Sequence, residues 1–152
     1  MKRSEQYLQL LQHSIQNLIE ADKWLQRSFS ICQTIGIKDL YSLQEFDAFE
    51  NLTSRFARTC DCLIKKVYRG IDQIELENTG TLIDVMNRAD KRGLLNSIAE
   101  LREIKELRNT ISHEYANTQL KEIFEAVFNH TPALFSLVEK AQQYCGALLT
   151  HH

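Results

Sequence analysis

The sequence predicts an all-α protein, an up-and-down bundle of four to five main helices. Apolar residues recur at three- and four-residue intervals along most of the chain, and no segment shows the period of two that marks a half-buried strand. One proline and five glycines separate the periodic runs, so connections are short and antiparallel neighbours are favoured.

The first run places Leu8, Leu11, Ile15, Leu18, Leu25, Phe29 and Cys32 on one helical stripe, which sets a helix over roughly residues 4–33. Gly36 marks its break. Phe46, Phe49, Leu52, Phe56, Cys60, Leu63 and Val67 form a second helix that is expected to stop at Gly70. After the polar stretch at 77–80, a short helix runs through Leu82, Ile83, Val85 and Met86 and closes at Gly93. The fourth helix uses Leu95, Ile98, Leu101, Ile104, Leu107 and Ile111.

Asn117 and Thr118 can cap a fifth helix that starts near Gln119 and uses Leu120, Ile123, Phe124, Val127 and Phe128. Thr131 and Pro132 fit a cap and a first helical position, so a new segment is expected through Leu134, Phe135, Leu137, Val138, Tyr144 and Leu148. One domain over residues 1–150 holds all these runs. Asp22 falls on the apolar seam of the first helix, where a carboxylate needs a partner; an ion pair with Arg55 or Arg58 of the second helix supplies one.

With 43% apolar and 25% charged residues the chain reads as an ordinary globular protein, and nothing in it approaches the roughly 20 apolar residues of a membrane span. No apolar signal core follows Met1-Lys2-Arg3, so a cytoplasmic location is expected, without membrane contact. Cys32, Cys60, Cys62 and Cys145 lack a paired metal-type spacing and read as buried structural thiols. No metal and no cofactor is expected, and His151 and His152 are assigned no role. The net charge of −2 excludes a general attraction to nucleic acid and leaves room for a local basic patch.

Chemistry concentrates in the octapeptide Arg108-Asn109-Thr110-Ile111-Ser112-His113-Glu114-Tyr115 near the end of the fourth helix. Arg carries a permanent charge on a fork that fits phosphate oxygens, and His exchanges protons near neutrality. On a helical wheel with Arg108 at 0°, Ile104, Leu107 and Ile111 lie between about 260° and 320°, on the buried side. Ser112, Lys105, Asn109, Arg102 and His113 lie between about 40° and 140°, a polar and partly basic stripe. Arg108 sits at its edge. Asn109 and His113, four apart, can touch, so the amide can hold the imidazole in one tautomer. Tyr115 falls where the helix ends. The plainer alternative is a solvated or salt-bridged surface, and for Arg102 and Lys105 that reading comes first, with RNA contact second.

Arg108, four residues, His113, one residue and Tyr115 match the Arg-x4-His-x-Tyr signature, and the chain resembles the HEPN superfamily in its HepT-like, nucleotidyltransferase-associated branch. The segment from Leu82 to Leu95 and the helices from Ile123 to Leu137 with Pro132 are similar to those flanking the motif there. The resemblance implies a helical bundle that dimerises and brings two Arg–His motifs into one cleft that cuts RNA without a metal. It further implies a toxin of a type II toxin-antitoxin system, silenced when a cognate minimal nucleotidyltransferase (MntA-like) transfers AMP onto the motif tyrosine. Carried onto this sequence, Arg108 binds phosphate, His113 is the acid–base group, Asn109 supports them and Tyr115 is the modification site. The alternative within the same branch is a non-catalytic accessory module that presents substrate to the nucleotidyltransferase.

Physical chemistry agrees with the dimer. Cleavage by an internal 2′-hydroxyl needs one group to take a proton and another, across the phosphorus, to return one to the leaving oxygen. One chain carries one such histidine motif; a symmetric pair carries two.

Overall fold

In the computed structural model the described residues are 2–75, 80–114 and 120–151, and they form five helical rods with no strand. The first, α1, spans Lys2–Ile35. Its stripe is the expected one: Leu11, Leu18, Leu25 and Cys32 are fully buried. Gly36 ends it in the left-handed region (φ 79°), its N–H returning to the Cys32 carbonyl at 2.8 Å.

Leu43–Asp61, a π-helical stretch Cys62–Tyr68 and Arg69–Ile74 follow one another without a break, and together they are α2. A reciprocal cap starts it, with the Ser42 hydroxyl accepting from the Glu45 N–H at 3.2 Å and the Glu45 carboxylate from the Ser42 N–H at 2.9 Å. The expected stop at Gly70 does not occur. Gly70 lies inside the rod because α1 passes close by: a Cβ there would stand 3.1 Å from Leu11 Cδ1. The missing side chain serves helix packing, not termination.

α3, Leu82–Lys91, opens on a Thr81–Asp84 capping box and closes as the sequence predicts. Gly93 (φ 75°) makes the turn, with Leu94 N–H on the Ala89 carbonyl and Gly93 N–H on that of Asp90, both at 3.0 Å. Ser97 caps α4, Ile98–Glu114, by accepting the Glu100 N–H at 3.1 Å.

α5, Leu120–Thr150, corrects the sequence reading: it runs straight through Pro132, and no second segment begins there. Thr131 is fully buried and donates its hydroxyl back to the Val127 carbonyl at 2.6 Å, so it cannot act as a cap. Val127, Leu134, Leu137 and Ala141 stay buried at helical spacing on both sides of the proline, which itself faces solvent. Burial of that continuous stripe outweighs the lost proline N–H bond.

The core lies where α1, α2 and α5 meet, with α4 packed on α2 and α5. Phe49 and Phe124 stack at 5.5 Å between centroids, and Phe29 and Phe128 at 5.1 Å. The expected Asp22 ion pair is absent among the described residues. Arg55 instead donates to Ser28 Oγ at 2.7 Å and lies over the Trp24 ring at 5.3 Å, while Asp22 faces α5 and, among the described residues, accepts only from Gln26 Nε2, at 2.6 Å. Burial pushes the Asp22 carboxyl above the usual range, the Gln26 bond opposing it.

A buried ion cluster joins the far end of α2 to α3 and α5. Asp72, 1% exposed, accepts from Arg88 Nη2 at 3.1 Å and Arg92 Nη1 at 2.5 Å; Arg92 also reaches Glu75 at 3.5 Å, and Glu75 accepts the Tyr144 hydroxyl. Among the described residues no helix is long and apolar enough to cross a membrane.

Candidate active site

α4 is placed by Leu101, Ile104 and Ile111, which are buried against α2 and α5. That burial fixes which way Arg108 points. Its guanidinium reaches α2 and meets Asp61 side on: Nε stands 3.0 Å from Oδ1 and Nη2 2.8 Å from Oδ2. The fork-to-carboxylate match gives direction as well as charge. Nη1 donates to Ser112 Oγ, one turn on, at 2.5 Å. Among the described residues these contacts use three of the five guanidinium N–H donors and leave two for another acceptor.

Burial pushes the Asp61 carboxyl up, but the Arg108 bonds and charge, helped by Lys65 at 3.7 Å, outweigh it and hold it below the usual carboxylate range. The Arg108 guanidinium is held above its ordinary value, first by its bond to Asp61. At neutral pH both are charged. Asp61 is the last residue before the π-helical stretch, so the pair sits where α2 departs from regular α geometry.

Arg108 and Asp61 form part of the wall of an open groove of about 1170 Å³ between α2 and α4. Ile111 and Ala57 supply apolar surface, and Arg58, Lys65 and Lys66 of α2 supply cations. Its volume exceeds the roughly 300–1,000 Å³ of ordinary small-molecule pockets, and the opening suits an extended ligand.

The other sequence-predicted residues are distributed unevenly. His113 and Asn109 are exposed on the last turns of α4, and among the described residues no hydrogen bond joins them, so the amide does not hold the imidazole here. Five residues separate Arg108 from His113, about 7.5 Å along the axis and 140° around it, and only Arg108 lines the groove. Arg102 is exposed and Lys105 half-buried, both outside the groove wall. Tyr115 lies outside the described residues. Sequence reasoning missed Asp61 and Ser112 as partners of Arg108. Ser112 was within reach as an i, i+4 neighbour on the wheel, whereas nothing local ties Asp61 to a residue in another helix.

An all-α bundle with Arg108 and His113 near the end of one helix, and an open, partly basic groove beside Arg108, defines the class of protein. Within that class the chain belongs to the family described as ribonuclease HepT-like, whose model matches residues 37–141, from the turn after α1 to well inside α5. No curated protein matches it.

Proposed function

We propose that this protein is a HepT-like toxin, a metal-independent endoribonuclease whose site is completed in a homodimer. The observation that carries the reading is the state of Arg108: a guanidinium fixed by Asp61 and Ser112, with two N–H donors still unspent beside a groove. That arrangement is prepared for a phosphate and for the charge that grows on it in the transition state. The exposed His113 points away from its own Arg108 by about 140°, which makes each chain half a site.

In the dimer one His113 takes the proton from the 2′-hydroxyl, and the 2′-oxygen attacks phosphorus. Arg108 donates to the non-bridging oxygens as their charge rises. The 5′-oxygen leaves and takes a proton from the second His113, giving a 2′,3′-cyclic phosphate and a 5′-hydroxyl. Such acid–base work contributes about 10² to 10⁴-fold. Asn109, exposed one turn before His113, supports substrate or imidazole once the second chain is present. An MntA-like minimal nucleotidyltransferase is the antitoxin: AMP added to the Tyr115 oxygen puts bulk and negative charge next to the motif and competes with RNA.

The test is cleavage of single-stranded RNA by the purified chain in the presence of a chelator. Wild type yields cyclic-phosphate ends, and His113→Ala loses cleavage by about 10²-fold or more without losing its fold. A wild-type dimer that leaves varied RNAs intact, yet accepts AMP from the nucleotidyltransferase, would turn the assignment to an accessory module.

A further inference from the structure

The groove beside Arg108 is electrically polarised along α2. Asp47 and Glu50 line it toward the N-terminal end, and Arg58, Lys65 and Lys66 line it toward the other. Asp61, the acidic group among those cations, is already taken up by Arg108 through both carboxylate oxygens. Lys65 approaches it only at 3.7 Å, with its own side chain 64% exposed. Arg58 and Lys66 are exposed, and neither has a carboxylate partner among the described residues. Arg58 lies before the π-helical stretch and Lys65 and Lys66 within it, and all three line the groove.

Building on the ribonuclease reading, we propose that single-stranded RNA runs from Arg108 along the C-terminal half of this groove, its phosphates held by Arg58, Lys65 and Lys66 of α2. The cations stand on the wall opposite the motif helix; Lys65 is loosely paired with Asp61 at 3.7 Å, and Arg58 and Lys66 have no carboxylate partner among the described residues. The cations all lie toward the C-terminal end of the groove, and that sets which way the strand leaves the reacting bond. Arg102 and Lys105, on α4 but outside the groove, take no part.

The test uses the full chain in a His113→Ala background, which keeps the RNA intact, and a short fluorescein-labelled single-stranded RNA. Dissociation constants are measured across a salt series for this parent, for Arg58→Ala/Lys65→Ala/Lys66→Ala and for Arg102→Ala/Lys105→Ala. Each phosphate contact on a single strand contributes about 0.7 to the slope of log K against log salt, so the triple variant loses about 2 from that slope and binds at least about tenfold more weakly at low salt. The α4 variant keeps the parent's slope. An unchanged slope in the triple variant, or a loss that follows Arg102 and Lys105 instead, overturns the path. A triple variant that changes oligomeric state by sedimentation while RNA binding holds makes the groove a subunit contact and overturns it as well. Those outcomes leave the nuclease reading standing; a wild type and parent that neither cut nor bind RNA overturn that reading itself.

Discussion

Replacing Asp61 with asparagine tests whether the pair on Arg108 is part of the chemistry or only a surface ion pair. Asn keeps the shape and one acceptor oxygen, but it sets an NH₂ group against a guanidinium N–H and removes the negative charge. Of the two bonds at 3.0 and 2.8 Å, at least one is lost. The Asp61 side chain is 33% exposed and that of Arg108 24%, so solvent screens part of the effect. The stability cost is accordingly about 1 kcal/mol, a fall in Tm of roughly 2–4 °C for a domain of this size. The effect on cleavage is larger. A guanidinium that can rotate still attracts phosphate but no longer aims its remaining donors at the developing charge, and misplacement on the scale of 1 Å can cost up to ~10²-fold. The expected result is a kcat reduced by about 10- to 100-fold with KM changed much less, and partial rescue by Asp61→Glu. Steady-state cleavage kinetics alongside thermal melts make the measurement. Unaltered kcat in a variant that melts lower would refute the positioning role, and a change in KM alone would reduce Asp61 to a contributor to binding. The pH dependence gives an internal check. Because the folded carboxyl titrates below its ordinary value of 3.8, the pair's stabilisation is complete above that value and is lost as pH falls through the lower, folded one. The stability gap between wild type and Asp61→Asn therefore stays constant at neutral pH and narrows only below about 4.

Two further perturbations address the fold. Asp72→Ala leaves Arg88 and Arg92 without their shared carboxylate in a site where it was 1% exposed, and it should destabilise the protein by roughly 3–5 kcal/mol in urea titrations; a loss under about 1 kcal/mol would mean that the cluster is not a structural anchor. Asp22→Asn should do the opposite at neutral pH. Burial raises the folded Asp22 carboxyl above its ordinary 3.8, so the native state binds the proton more tightly and ionisation costs stability as pH rises past that value. Urea midpoints of the variant should exceed wild type at pH 7 and converge with it in acid; a difference that grows in acid contradicts the assignment.

Much of the bundle could be read from the sequence because it rests on local patterns. The α1 stripe, the turn at Gly93 and the burial of Ile104 and Ile111 follow from spacing and from one glycine in a left-handed turn. Gly70 and Pro132 look like punctuation in the sequence, but the role of each depends on a neighbour in space, Leu11 for the glycine and the buried stripe around Val127 and Leu134 for the proline. The candidate site divided the same way. Arg108 stood out by residue type and helix position, but a wheel reports faces and not what lies across from them. Asp61, and the cations of α2 that line the groove beside it, became visible only when α2 and α4 were brought together. Asp22 failed for the same cause, since its seam faces α5 and not the arginines of α2.

The π-helical stretch Cys62–Tyr68 gives α2 two rotational phases in one rod. Each i→i+5 step takes up one residue more than the α pattern, so the segment works as a phase shifter between Asp61, which faces Arg108, and Asp72, which faces Arg88 and Arg92. Removing a single residue from 62–68 would let the stretch close into regular α-helix, with the turns on either side kept in place. Asp61 and Asp72 would then each keep its arginines. Adding a residue there is the change that would turn one of the two carboxylates away from its partners.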